Sequence, residues 1–330
     1  MKNSFFLAIA VVLLFSACST KRVFEPKVVG DDWNKYGQMD QEIVDTSLNV
    51  ALLDDGSVLT SDGIVKMKVR EDERVISYTN GWVITSTIDG NVTLTSSSDV
   101  TKVENFGLNK TVASASVKDD TLAILFADNE LALFSVKTKK AFFRDQSGES
   151  LALNRKIENP YFLNDLVVFS TLDGKVVIVN AKKKKKLRTV IVSAEDNFNN
   201  VIYFKMIDNK IVAATGYKIL AMSDKEVRAK YDIRTMTYDG SNIYVATKQG
   251  EIVALTPDLE LIGKIKFPFA HFLGIISSGD KLYILEREGY VIVLDKNMKD
   301  YTVREADVED GYVFVTKKAF YVNDETIVVK

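Results

Sequence analysis

The chain has 330 residues, 46% of them hydrophobic and 27% charged, with 43 Lys plus Arg against 45 Asp plus Glu. This is the composition of a folded globular protein, and a formal net charge of −2 provides no global field to draw in nucleic acid. One cysteine, one histidine and four prolines exclude a disulfide framework, a His/Cys metal centre and a string of modules on proline-rich linkers.

Met1 and Lys2 precede an uncharged apolar run at 5–15, and Ser16, Ala17 and Cys18 follow it. That order is the layout of a secretory signal peptide. The run is too short to span a bilayer, which takes roughly 20 apolar residues. Phe15-Ser16-Ala17-Cys18 resembles a bacterial lipobox, with Phe15 where Leu is usual. The resemblance implies that 1–17 is a lipoprotein signal peptide and that Cys18 is acylated, so that the N-terminal lipid holds the mature chain on a membrane. An ordinary signal peptide with a chance cysteine is the alternative. Ser19 in place of an Asp implies the outer membrane, facing the periplasm. Residues 18–41 show no clear period and hold Lys, Glu, Pro and Gly. They are expected to form the lipidated N-terminus and a tether reaching about 25 Å if flexible, at roughly 5–6 Å × √n.

From residue 42 to 330 one pattern recurs. WVITSTIDGNVTLT (82–95), LVVFSTLDGKVVIVN (166–180), IYVATKQGEIVALT (243–256) and LYILEREGYVIVLD (282–295) are each two β-branched or aromatic runs around a tight turn. Such turns need positive φ, which Gly and Asn supply. Turn centres fall at Gly56, Gly90, Asn129, Gly174, Gly216, Gly250, Gly289 and near Lys318, spaced 29 to 45 residues apart. That is the period of a four-stranded propeller blade.

A second turn series runs in step: Asn80-Gly81, Asp119-Asp120, Asn164-Asp165, Asp208-Asn209, Asp239-Gly240, Gly279-Asp280 and Asp310-Gly311. These read as A–B turns, with the first series as B–C turns. Outer D strands are expected at, for example, 186–192 and 261–267, and the last blade has only 305–310 as a candidate A strand. The fold class is therefore all-β: a β-propeller of four-stranded antiparallel blades, eight of them, or seven if the first or last unit is incomplete. A stretch of the N-terminal segment is available to complete a blade. A blade has two apolar faces, and radial stacking buries both; an open double sandwich is the rival arrangement.

The segments 172–180 (LDGKVVIVN) and 249–255 (QGEIVAL) resemble the repeats of the pyrroloquinoline-quinone-like propeller superfamily. Combined with the lipobox, the chain resembles the BamB family of outer-membrane assembly lipoproteins. The Thr-Gly…Trp docking motif that ends many enzyme blades in this superfamily is missing, and the two tryptophans, Trp33 and Trp82, sit elsewhere. The resemblance thus implies a scaffold rather than a quinone-dependent dehydrogenase.

The residues agree. His271 is the sole histidine, set among Phe267, Phe269 and Phe272, and offers no partner for a nucleophile. Asp54-Asp55, Asp119-Asp120 and Asp295 are explained by turn chemistry, and no glycine-rich phosphate loop occurs. The expectation is a non-catalytic protein with no cofactor and no metal.

Two surfaces are candidate partner contacts. Lys182, Lys183, Lys184, Lys185 and Lys186 form a basic C–D turn in the fourth blade, read either as a solvated tip that blocks edge pairing or as a site for acidic head groups, an anionic polymer or an acidic protein. Phe267, Phe269 and Phe272 lie between blades on the opposite face, read either as packing or as a partner anchor. The function expected is a protein-protein interaction scaffold in an envelope protein complex: the barrel-assembly machinery, or another periplasmic assembly such as a flagellar motor or secretion system. A periplasmic quinone- or ligand-binding propeller is the other class.

Overall fold

The computed structural model describes residues 22–150, 153–306, 308 and 310–329. Among these, all regular structure is strand, arranged as eight four-stranded antiparallel sheets. We number the blades in chain order and letter their strands A to D from the axis outward. Blades 1 to 7 span 43–65, 73–107, 112–146, 161–191, 203–230, 233–266 and 272–305. Blade 8 takes strands A to C from 313–328 and its outer strand from Tyr36–Gln38.

The ring closes because each blade is apolar on both faces. In strand Thr121–Phe126 of blade 3, Leu122, Ile124 and Phe126 pack toward blade 2, against Ile84 and Leu94. The alternate residues Ala123 and Leu125 pack toward blade 4, against Val167, Phe169 and Val177. This is the period of two read on both sides of one strand. It explains why strands B and C are nearly continuous apolar runs. Eight such clusters fill the eight interfaces, the last joining Ile43, Ala51 and Leu53 of blade 1 to Phe314 of blade 8. D strands face water, as in Lys185–Ile191, where only Val190 is buried. Gly274 sits where an added Cβ would lie 2.8 Å from Val315 Cγ2 and 2.9 Å from the Phe320 ring, so its missing side chain lets blade 8 close onto blade 7.

The B–C turns fall at the expected places in blades 1 to 7, and six of the seven centres are left-handed, Gly56, Gly90, Asn129, Gly174, Gly250 and Gly289. Three share a further feature, a Thr three residues before the Gly. Thr87, Thr171 and Thr247 accept at Oγ1 the N–H of Asn91, Lys175 and Glu251 at 3.1, 2.9 and 3.0 Å.

Several expectations are corrected. Residues 305–310 are not the inner strand of blade 8: Glu305 ends the outer strand of blade 7, and strand A is Val313–Val315. Asp310-Gly311 therefore precedes strand A, and the turn near Lys318 is A–B rather than B–C, because the fourth strand of this blade comes from the other end of the chain. The two D strands are Lys185–Ile191 and Leu261–Lys266, each ending one residue earlier than expected.

The largest correction concerns the tether. Phe24 is 5% exposed and meets the Phe267 and Tyr290 rings edge-on at 6.1 and 5.7 Å. Gly30 N–H donates to Val303 O at 2.8 Å and Trp33 N–H to Glu305 O at 2.7 Å, so the segment runs along the outer edge of blade 7. Trp33 is buried against Tyr283 before the chain enters blade 8. Residues from Phe24 onward belong to the propeller.

Candidate interaction surfaces

Strand A of blade 4, Tyr161–Leu163, has only three residues, where that of blade 3, Val112–Lys118, has seven. The chain ahead of it takes another route. Asn154 N–H donates to Asn200 Oδ1 at 2.7 Å, and Asn200 Nδ2 donates back to Asn154 O and Lys156 O at 3.2 and 2.6 Å. Lys156 Nζ donates to Arg234 O of blade 6 at 3.3 Å. Asn159 Nδ2 donates to Asn49 Oδ1 of blade 1 at 3.3 Å. A segment that touches the inner elements of blades 1, 5 and 6 on its way into blade 4 lies in the central channel. Residues 153–160 therefore thread the ring with the protein's own chain, Arg155 exposed and Pro160 buried.

The channel carries the most displaced titrations of the described residues. Burial pushes the Glu158 carboxyl up to about 8, against the pull of Lys156 and Lys205. Burial pushes the Lys156 ammonium down to about 8; Glu158 opposes this and Arg234 adds to it. Tyr203 is raised by burial and then by Glu158, and Arg234 is lowered by burial and then by Arg287. Burial leads both shifts, and the attraction of each group for the other opposes it without cancelling it. Nothing in the sequence flagged them, since 153–160 has neither period nor motif.

The sequence-chosen surfaces are separated as expected from topology. Lys182 to Lys184 make the C–D turn of blade 4, and Lys185 and Lys186 begin its outer strand; all five are exposed. Lys186 is committed to Asp145 of blade 3 at 2.7 Å, and Lys184 lies over the Phe142 ring at 5.7 Å. Among the described residues no carboxylate pairs with Lys182, Lys183 or Lys185. The aromatic group divides: Phe267 and Phe272 are 2% and 0% exposed, core residues of the blade 6–7 interface, because the D–A loop folds inward at both ends. Only Phe269, 53% exposed at φ 65°, remains on the surface. His271 lies in the same loop, and its backbone N–H donates to Glu286 Oε1 at 2.8 Å. Cys18 lies outside the described residues.

A further groove of about 360 Å³ lies beside blade 2, lined by Met67, Arg70, Glu73, Thr85, Thr93 and Val103 among others. Its one buried carboxylate, Glu73, is occupied by Thr85, Thr93 and Arg70 at 3.0, 2.7 and 3.1 Å. A carboxylate that accepts from three donors of its own blade and the loop before it orders that blade.

The backbone resembles solved propellers along nearly its whole length. BamB from Moraxella catarrhalis superposes with a TM-score of 0.71, at 12% identity, over 88% of this chain and 98% of that one. The fold is that of a BamB-like β-propeller. The C-terminal WD40 domain of Sif2 and the computationally designed Ika8 protein follow at TM-scores of 0.63 and 0.62, with 11% and 9% identity. They cover 91% and 90% of this chain, and 98% and 99% of their own. At such identities the likeness speaks for the fold alone. In sequence, the plasminogen-binding protein PgbB of two Helicobacter pylori strains is 25% identical over 349 aligned positions and covers 90% of this chain. The chain spans 63% of the length of those relatives. No family model matches.

Proposed function

We propose that this protein is a non-catalytic, lipid-anchored propeller that scaffolds a protein assembly of the cell envelope, facing the periplasm from the outer membrane. The observation that carries the reading is the segment threaded through the axis. In a ring of blades the channel is the natural pocket for a small substrate, and here residues 153–160 take that space. Binding then falls to rim turns and loops, which suit a macromolecular partner. The BamB-like backbone makes the outer-membrane barrel-assembly machinery the first partner to test, with a flagellar or secretion assembly next.

The test is affinity purification of the tagged, lipid-modified chain from solubilised envelopes. Recovery of barrel-assembly proteins supports the first partner; recovery of flagellar or secretion components moves the scaffold to that machine. Recovery of the chain alone under mild cross-linking, together with saturable binding of a quinone or other small molecule, overturns the scaffold reading. The sequence relatives add a second reading, capture of plasminogen, which immobilised plasminogen tests directly.

A further inference from the structure

The docking of the N-terminal segment on blades 6 and 7 has a consequence for orientation. Phe24 is locked between Phe267 and Tyr290. Two residues earlier, the Arg22 guanidinium stands over the Phe269 ring at 5.5 Å. Phe269 is the exposed tip of the blade 6–7 loop, held at a left-handed φ of 65° that a phenylalanine adopts only when its surroundings impose it. From Cys18 to Arg22 there are four Cα–Cα steps, a reach of at most about 14 Å in extended chain.

We propose that the propeller meets the membrane through the blade 6–7 sector of the face bearing the B–C turns and D–A loops, with Phe269 and Arg22 at the lipid surface. This rests on the acylation of Cys18 in the reading above. An acyl anchor fixes residue 18 in the bilayer, and the short chain then leaves only this sector within reach. An aromatic ring with a guanidinium beside it suits that place, the ring at the headgroup–acyl boundary and the cation near phosphates. Neither residue would hold a protein on a membrane alone. Tethering raises their effective concentration at the surface, so a weak contact becomes an orienting one.

The same geometry separates the lysine run from the bilayer. Lys182 to Lys184 form a C–D turn, at the opposite ends of the strands from the D–A loops, and on blade 4. With the blade 6–7 loop against the lipid, that turn points into the periplasm, beyond the roughly 8 Å screening length from the headgroups. Any anion that turn meets is then one on a protein surface rather than the anchoring bilayer.

The acylated chain has no free thiol, so single cysteines report position cleanly. Lys266→Cys beside the loop, Ile88→Cys on the same face of blade 2 and Lys183→Cys on the other face each receive a fluorophore. The proteins are reconstituted in phosphatidylethanolamine–phosphatidylglycerol vesicles carrying a nitroxide at the lipid headgroup. Quenching at position 266 at least threefold above both others supports the orientation, and adding Phe269→Ser should reduce it. Equal quenching at the three positions in protein that floats with the vesicles overturns the orientation and leaves the anchor intact. A bare residue 18 by mass spectrometry, with no flotation, overturns both.

Discussion

Asn159 Nδ2 donates to Asn49 Oδ1 at 3.3 Å, joining positions 110 residues apart across the axis of the ring. Asn49 also stitches blades 1 and 2: its Nδ2 donates to Tyr78 O at 2.7 Å, and its Oδ1 accepts Tyr78 N–H at 3.0 Å. The two ends of the bond therefore differ in consequence. Asn49→Ala leaves a backbone donor and acceptor of Tyr78 without their partner and is expected to destabilise by about 2–3 kcal/mol; Asn159→Ala loses one part-buried side-chain bond, about 1 kcal/mol or less. Urea denaturation of the two variants checks the order. Equal losses would mean that the channel segment, not the blade contact, governs this corner.

The pair Lys156 and Glu158 gives the channel a pH signature. Folded Glu158 keeps its proton to about pH 8, whereas an unfolded carboxyl loses it near 4.5. Between those values the folded state binds more protons, so stability falls as pH rises. Lys156 acts in the opposite sense: the folded amine releases its proton near 8 and the unfolded one near 10.5, so stability recovers above 8. The pair's contribution is smallest near pH 8. Glu158→Gln should abolish the falling limb in thermal melts taken from pH 5 to 8. A variant whose profile matches the parent's would show that the carboxyl titrates as it does in water.

Gly174 and Gly240 both have positive φ, 80° and 103°, but different neighbours. A Cβ at Gly174 would lie 2.3 Å from Asn199 Nδ2 and 2.6 Å from Ser193 O, while nothing lies within 4 Å of one at Gly240. Gly240→Ala meets only the backbone penalty, about 1 kcal/mol. Gly174→Ala adds a clash with the loop into blade 5 and is expected to cost about 3 kcal/mol. Differential scanning calorimetry of the two variants separates local φ strain from packing.

Trp33 closes the ring from the N-terminal side. It is 8% exposed, edge-on to Tyr283 at 6.0 Å, and its Nε1–H reaches Lys35 O at 3.2 Å. Trp33→Ala should lower stability by about 3–5 kcal/mol and speed amide exchange along Tyr36–Gln38 and its partner Glu325–Val328. Loss of stability without faster exchange in the outer strand would show that the strand holds without its anchor.

These sites differ in how far the sequence announced them. The B–C turns were legible because a left-handed residue is a local demand that only Gly or Asn meets cheaply, as at Asn129 and Gly174. The docked N-terminal segment is not: Phe24 and Trp33 are isolated aromatics in a polar stretch, and their value lies in pockets made by residues some 250 positions away, Phe267 and Tyr283. The channel segment was hidden for a related reason. Its bonds join side chains and backbone of distant blades, as Lys156 to Arg234 O, and such bonds leave no periodic trace. Blade 8 is displaced by one turn because three C-terminal strands do not reveal whether the N-terminal stretch supplies their inner or their outer neighbour, and Tyr36–Gln38 is the outer one.

The lysine run offers a test in which fold and binding separate. Lys182, Lys183 and Lys185 are exposed and unpaired among the described residues, while Lys186 holds Asp145. Reversing the first three to Glu should leave stability within about 0.5 kcal/mol, because exposed side chains away from packing or pairing contribute little. Including Lys186 would set two carboxylates against each other across blades 3 and 4 and confuse the reading. If the run docks an acidic partner, the triple reversal lowers recovery of that partner from envelopes several-fold, and the parent's own recovery falls with added salt. Vesicle association should be unchanged, since the lipid is held at the other face. Unchanged partner recovery would reduce the five lysines to a soluble hairpin tip that keeps the outer edge of blade 4 from pairing with another chain.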